Sequence, residues 1–383
     1  MDDRLTKSSC GNASLTEGMA DRPLVTFALF AYNQEKYIRE AVEGAFSQTY
    51  EPLEIILSDD CSSDRTFEIM QEMAAAYVGP HSVYLRRGEI NLGTAQHLSA
   101  VAQMARGELL IVAAGDDISL PSRTQAIVNS WLEHDKAVSC IHSCALELND
   151  IGQRRDILLP RASSIILKNE LERWMKIDLL PFIAPTCAYS KKVFERFGPF
   201  CGGSIIEDGP MALRCLLTGP IIYVPEPLVA IRMSINSSGR CNNILDSSRW
   251  NRFIRSQIIS YITKVQDLSV SDLPAKPSRR LDRKYRNKIR ALSAFIRPNK
   301  PTPGLLWKTK FIYIYFFHYA IDAKMKHRLS ELVHALGYAD SPIYRLTVKI
   351  AKSFGRRRDR GIPHRSFSAT WVKLWKRIPS VRS

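Results

Sequence analysis

The sequence predicts a doubly wound α/β sheet followed by a basic helical extension, and three observations carry that expectation. Short apolar runs alternate with segments of helical period through residues 24–145. Those runs end in polar clusters rather than fading into turns, as strands delivering side chains to one crevice should. And the charge is split: residues 1–239 hold 22 basic and 30 acidic side chains, a net −8, while residues 240–383 hold 32 and 8, a net +24.

Residues 1–22 contain no apolar h-region and read as a disordered leader. Leu24–Phe30, LVTFALF, is continuously apolar, the mark of a strand buried on both faces. It ends at Ala31-Tyr32-Asn33, where Asn33 is suited to cap a helix over Glu35–Ser47. Leu53–Leu57 is a second strand, closed by Ser58-Asp59-Asp60, and Ser63–Tyr77 has helical period. Val83–Leu85 is a third, short strand, and Asn91-Leu92-Gly93 opens a helix to Ala105. Leu109–Ala113 is the fourth strand, ending at Gly115-Asp116-Asp117. Ser122–His134 reads as a helix and Ala137–Ala145 as a fifth strand. Alternation of this kind predicts parallel strands joined by right-handed crossovers. A dinucleotide fold lacks its GxGxxG fingerprint here.

Further on, Leu167–Ile177 reads as a helix, Thr186–Ser190 as a strand and Lys191–Phe197 as a short helix. The acidic pair Glu207-Asp208 precedes a helical stretch, Met211–Leu217, and is either a helix cap or a catalytic group. Ile221–Val224 reads as a strand that closes this unit. Beyond residue 240 come an amphipathic helix over Trp250–Val265, a linker at Lys276-Pro277-Ser278, a basic helix over Arg279–Arg290 and the run WVKLWKR at Trp371–Arg377. Basic residues interleaved with Trp, Tyr and Phe fit an anionic membrane surface better than nucleic acid, because no aromatic RNA-binding motif is present. A solvated helical tail with a small core of its own is the bland alternative. Eight scattered cysteines without CxxC spacing exclude a zinc framework and fit a reducing cytosol. The longest aromatic-apolar run, Phe311–Tyr319, is too short to span a bilayer, which needs about 20 residues.

Asp116 and Asp117 are adjacent carboxylates at a strand end. Alone they read as an ordinary Gly-Asp turn; with three polar strand ends converging, they read as a seat for a hard divalent cation, Mg²⁺ or Mn²⁺.

From about Leu24 to Ser238 the chain resembles the family-2 glycosyltransferases of the GT-A fold. The resemblance is carried by FALFAYNQEKYIREAV, by Ser47-Gln48-Thr49-Tyr50, by LEIILSDDCSSD, by NLGTAQHLSAVAQMARGELLIVAAGDDISLP and by Glu207-Asp208, in that order. It implies a catalytic domain over residues 23–239 and an extension over 240–383. By position, Ala31, Tyr32, Glu35, Asp60, Gly93 and Asp116 would bind the nucleotide, Asp116 and Asp117 the metal, and Asp208 would be the general base, with Glu207, Arg249 and Trp250 as further candidates. The resemblance implies an inverting, non-processive transfer from a nucleotide-diphosphate sugar, UDP-sugar foremost. The acceptor would be a glycan or a lipid-linked group in cell-surface polysaccharide synthesis, at the cytoplasmic face of the inner membrane. Three departures bear on this. Ala114 replaces the first acid of the family's Asp-x-Asp, Ser234 replaces the His of Arg-x-His, and only Arg249-Trp250 remains of Gln-x-x-Arg-Trp. A catalytically inactive sugar-nucleotide or glycan binder is the alternative they leave open.

Overall fold

A computed structural model describes residues 22–149, 152–160, 165–177, 182–203, 206–232 and 247–293. The expected leader, the Met233-Ser234 and Asp246 positions, and everything from 294 onward, Trp371–Arg377 included, lie outside the described residues.

Among the described residues, nine strands form one mixed sheet. The first four are β1 (Val25–Ala31), β2 (Leu53–Asp59), β3 (Ser82–Arg87) and β4 (Leu109–Ala114). They pair in parallel in the order β3-β2-β1-β4, with Ala31 level with Asp59 and Phe30 level with Ala114. The crossovers are α1 (Ile38–Phe46), α2 (Thr66–Ala75) and α3 (Thr94–Met104). β1 and β2 bury nearly every side chain, which is why they read as unbroken apolar runs. Phe27, Leu29, Ile55, Leu57, Ile111 and Trp131 belong to the core packed between this sheet and its helices.

The second half is less regular. β5 (Ile118–Ser119), α4 (Arg123–Glu133), β6 (Cys140–Leu148) and β7 (Arg154–Leu158) are followed by α5 (Leu171–Ile177), β8 (Ala188–Ser190), α6 (Lys191–Phe197), α7 (Asp208–Thr218) and β9 (Ile221–Arg232). β8 runs antiparallel between β4 and β6, and β9 continues the sheet to β5. β9 does not stop at Val224. The register against β6 shifts around Cys144, which faces Pro227, and this bulge admits Pro225 and Pro227 so that the strand runs on to Arg232.

Two long helices, α8 (Ser247–Ser269) and α9 (Ala275–Ser293), pack on each other and on this half of the sheet domain. The Lys276-Pro277-Ser278 segment is not a linker. It forms the first turn of α9, where proline's missing N–H is an orphan donor in any case. Arg214 of α7 holds α8 through two hydrogen bonds to Asp267, at 2.9 and 3.0 Å, with both side chains almost fully buried.

Candidate active site

Parallel register brings three strand ends to one edge. The Asp60 N–H donates to the Ala31 carbonyl at 2.9 Å and the Gly115 N–H to the Phe30 carbonyl at 2.8 Å. Asp59–Asp60 and Asp116 therefore flank Ala31-Tyr32 on either side of the central strand. Tyr32 is 47% exposed beside this edge. Gly115 leaves room for Gln34: a Cβ there would lie 2.3 Å from Gln34 Oε1, which would have to move away, and 3.1 Å from the Ala31 Cβ.

Most carboxylates at this edge are engaged by backbone. Asp59 accepts from the Ser62 N–H at 2.9 Å and from its hydroxyl. Asp60, 3% exposed, accepts from the N–H groups of Leu92 and Gly93 at 3.0 and 2.9 Å, pinning the loop that opens α3. Gly93 takes φ 76 there, a conformation glycine adopts without strain. Glu35 accepts from the Arg65 N–H at 3.0 Å, just ahead of α2. Asn33 does not cap α1. It sits at φ 52 and its amide oxygen accepts the Ser63 N–H at 2.8 Å, while α1 begins only at Ile38.

Asp116 and Asp117 point different ways. Asp117 is buried and accepts the Arg232 N–H at 2.9 Å, which ties the end of β9 to this turn. Burial and the neighbouring Asp116 push its carboxyl up to about 8. Asp116 is only half-buried; burial raises its pKa, with Gln34 and Arg232 opposing. Among the described residues no group of three or more His, Cys, Asp or Glu is arranged to hold a metal. One hard carboxylate at an open edge still suits Mg²⁺ or Mn²⁺, which keep waters and take phosphate oxygens for the remainder.

The second acidic pair stands at the start of α7. The Glu207 side chain makes no capping hydrogen bond, so the pair is not a helix cap. Burial raises both carboxyls, Glu207 well above the carboxylate range and Asp208 to about 6. The two share a hydrogen bond, which favours one proton on Glu207 and charge on Asp208. Asp208 Oδ1 has no hydrogen-bond partner. The loop leading to this pair rests on α3: the Phe200 N–H donates to Ser99 Oγ at 3.0 Å. A Cβ on Gly202 would meet Gln96 Nε2 at 3.2 Å. The helix that starts at the Asp60-bound glycine thus also supports the loop before Asp208.

Four residues of this region escaped the sequence reading as site residues. Gln34 bonds the Asp116 carboxylate. Arg232 donates through Nε to the Asp116 carbonyl at 3.2 Å and through Nη2 to Glu40 at 3.1 Å. Arg123, fully buried, donates to Ser119 Oγ and to the carbonyls of Val112 and Pro185. Lys264 of α8 reaches the Asp208 turn, its Nζ 2.8 Å from where a Gly209 Cβ would sit. Arg232 ends a strand and Arg123 opens a helix after Pro121, positions that carry no chemical signature. The Arg249 and Trp250 side chains lie outside the described residues.

A model of glycosyl transferase family 2 matches residues 26–198, ending before the Glu207-Asp208 pair. An uncharacterized glycosyltransferase of Haemophilus influenzae is 31% identical over 258 residues, 64% of this chain and 77% of that protein. The uncharacterized protein Rv1520 of Mycobacterium tuberculosis is 38% identical over 114 residues, 29% of this chain, and the chain spans about a third, 32%, of that relative's length. Among solved structures, residues 1–349 of Staphylococcus aureus TarS in complex with UDP-GlcNAc superpose with a TM-score of 0.52. The identity is 16%, and the match covers 69% of this chain and 72% of that one.

Proposed function

We infer, for a chain that belongs to glycosyl transferase family 2 and has the GT-A fold, that it transfers a sugar from a nucleotide-diphosphate donor to a hydroxyl acceptor with inversion. Asp208 carries the reading: a carboxylate raised to about 6, one oxygen unpartnered, at the start of a helix whose approach loop rests on α3. Such a group is ionised at neutral pH yet basic enough to take a proton in the transition state.

The acceptor oxygen attacks the anomeric carbon opposite the diphosphate. Its C–O bond forms as the bond from that carbon to the phosphate oxygen breaks, and the electron pair leaves on the nucleoside diphosphate. The acceptor proton passes to Asp208. A single displacement of this kind inverts the anomeric centre. Tyr32, beside Ala31, would face the nucleoside, and Asp60 would hold Gly93 and its loop against it. Asp116 would hold the divalent cation, which when bound offsets the charge developing on the leaving diphosphate. Asp117, with its carboxyl oxygen on the Arg232 N–H, shapes that turn. The expected donor is a UDP-sugar; TarS, which shares the fold, was solved with UDP-GlcNAc. The acceptor is a glycan or lipid-linked group of a cell-surface polysaccharide, presented at the cytoplasmic face of a membrane. Among the described residues no helix is long and apolar enough to cross one.

A panel of sugar nucleotides with Mn²⁺ tests this by thermal shift followed by transfer assay. A donor at 100 times its Kd stabilises the native state by about 2.7 kcal/mol. Stabilisation without transfer or donor hydrolysis would favour the inactive binder, and no stabilisation by any donor would remove the reading.

A further inference from the structure

We propose that the solvent face of α9 is an electrostatic docking surface for an anionic phospholipid bilayer. Over 19 residues this helix carries eight Lys or Arg and a single acid, Asp282. Its inner face is fixed: Leu281, Tyr285 and Leu292 are buried, and the Tyr285 ring lies 5.7 Å from that of Tyr261 on α8. Arg280 is drawn to Glu172 at 2.7 Å, and Arg286 to Asp282. Lys276, Arg279, Arg283 and Arg290 remain exposed on the outer face, with no ion-pair partner among the described residues. They follow one another at helical spacing, so like charges line one stripe. Within a helix such like-charged neighbours repel one another. A stripe of this kind fits an anionic surface rather than a protein core.

Two features favour lipid headgroups over nucleic acid. The outer face presents no aromatic ring for base stacking, since Tyr285 is fully buried. And apolar side chains flank the start of the helix. Lys168 bonds Asp272 at 2.8 Å, bringing Leu167, 47% exposed, beside the turn that carries Val270, 63% exposed. Exposed aliphatic side chains near the start of a basic helix suit the headgroup boundary of a bilayer. The docked helix also borders the catalytic end: Lys264, against the Asp208 turn, lies over the inner face of Tyr285 at 5.5 Å. Binding there would present Asp208 to a membrane-borne acceptor. This extends the reading of the acceptor given above, but it can be tested without turnover.

The full chain is floated with vesicles of phosphatidylcholine alone or with about 30% phosphatidylglycerol, at low and high salt. Wild type floats with the anionic vesicles and is released as salt screens the contact. Replacing Lys276, Arg279, Arg283 and Arg290 together by Gln lowers partitioning about tenfold or more, since the attraction of a basic cluster to anionic headgroups falls with its charge. The variant Arg279→Lys, Arg283→Lys, Arg290→Lys keeps the charge and floats as wild type does. Equal flotation of the Gln variant, flotation of wild type with neutral vesicles, loss in the Lys variant, or tighter binding of an RNA oligonucleotide than of the anionic vesicles would each overturn the proposal. Failure here leaves sugar transfer standing, because a soluble-acceptor assay reads that separately.

Discussion

The two acidic clusters of this protein behave in opposite ways. At the strand ends of the parallel half, Asp59, Asp60 and Glu35 hand their oxygens to backbone N–H groups of Ser62, Leu92, Gly93 and Arg65. At the start of α7, Glu207 and Asp208 have each other, and one Asp208 oxygen has nothing. A carboxylate engaged by fixed backbone donors holds a loop in shape. A buried carboxylate without such donors is driven up in pKa and is ready to accept one. On the proposed reading, the first cluster shapes the nucleotide side of the site and the second supplies its base.

The sharpest test of that contrast is Asp208→Asn. An amide cannot take the acceptor's proton, so turnover should fall by about 10² to 10⁴ while donor binding stays near wild type. The melting temperature at pH 7 should not drop. Asp208 is raised by folding from the 3.8 of an ordinary Asp to about 6, so its ionised form opposes folding above that pH. The same shift sets the pH profile. Activity needs the charged form and should fall about tenfold per pH unit below 6. The stability linked to this group runs the other way: it is fully present below pH 4 and lost as pH rises through 6. A variant that keeps most of its turnover, or a wild-type rate flat from pH 5 to 8, would place the base elsewhere.

Next in size is the pair that fixes the helix behind that base. Asp267→Ala leaves Arg214 charged, buried between Phe197 and Phe200 and short of two hydrogen bonds. Removing one partner of such a pair costs about 3 to 5 kcal/mol. Urea unfolding should show it, and the double replacement Arg214→Met, Asp267→Leu should recover much of the loss. A cost below 1 kcal/mol would mean that α8 is held to α7 by packing alone.

How far the sequence reached follows the same division. β1, β2 and β3 pair in sequence order and β4 returns to the free edge of β1, all in parallel, so apolar runs with polar ends were enough to place Ala31, Asp60 and Asp116 at one edge. β8 pairs with strands that flank it at long range and is three residues long, and β5 has two. Such strands carry too few residues to show a period. The strand read as Ile221–Val224 runs on to Arg232 because a register shift against β6 admits Pro225 and Pro227, a feature of the pairing rather than of their own segment. Lys276-Pro277-Ser278 read as a linker because proline's place at a helix start is visible only once the helix is known. Glu207-Asp208 was legible as a pair, but whether it capped a helix or stood unpaired was decided by contacts the sequence does not display.

Within the strand-end cluster, Asp60→Ala should be moderate. It strips two part-buried N–H groups of their acceptor, at about 1 kcal/mol each, and frees the Leu92-Gly93 loop. Stability and donor affinity should therefore fall together. An affinity loss with unchanged stability would make Asp60 a direct contact to the donor and set it apart from its neighbours.

Glu35→Ala is the smallest expected change and the finest probe of the contrast. By sequence position Glu35 belongs with the nucleotide pocket. In the fold its Oε2 takes the Arg65 N–H, while its own N–H donates to Asp64 at 3.1 Å. Reciprocal bonds of this kind join the β1–α1 loop to the start of α2, and the side chain is exposed. Losing a carboxylate on a donor ahead of a helix costs about 0.5 to 2 kcal/mol, and exposure puts this one at the low end. Donor affinity, read by titration with and without Mn²⁺, should change less than twofold, against about 1.4 kcal/mol for each tenfold step. Glu35→Gln, which keeps an acceptor, should restore most of the stability. A tenfold affinity loss in Glu35→Ala with no change in melting temperature would show the reverse: a carboxylate that grips the nucleoside from a saturated cluster, and a division between shaping and reacting acids that does not hold.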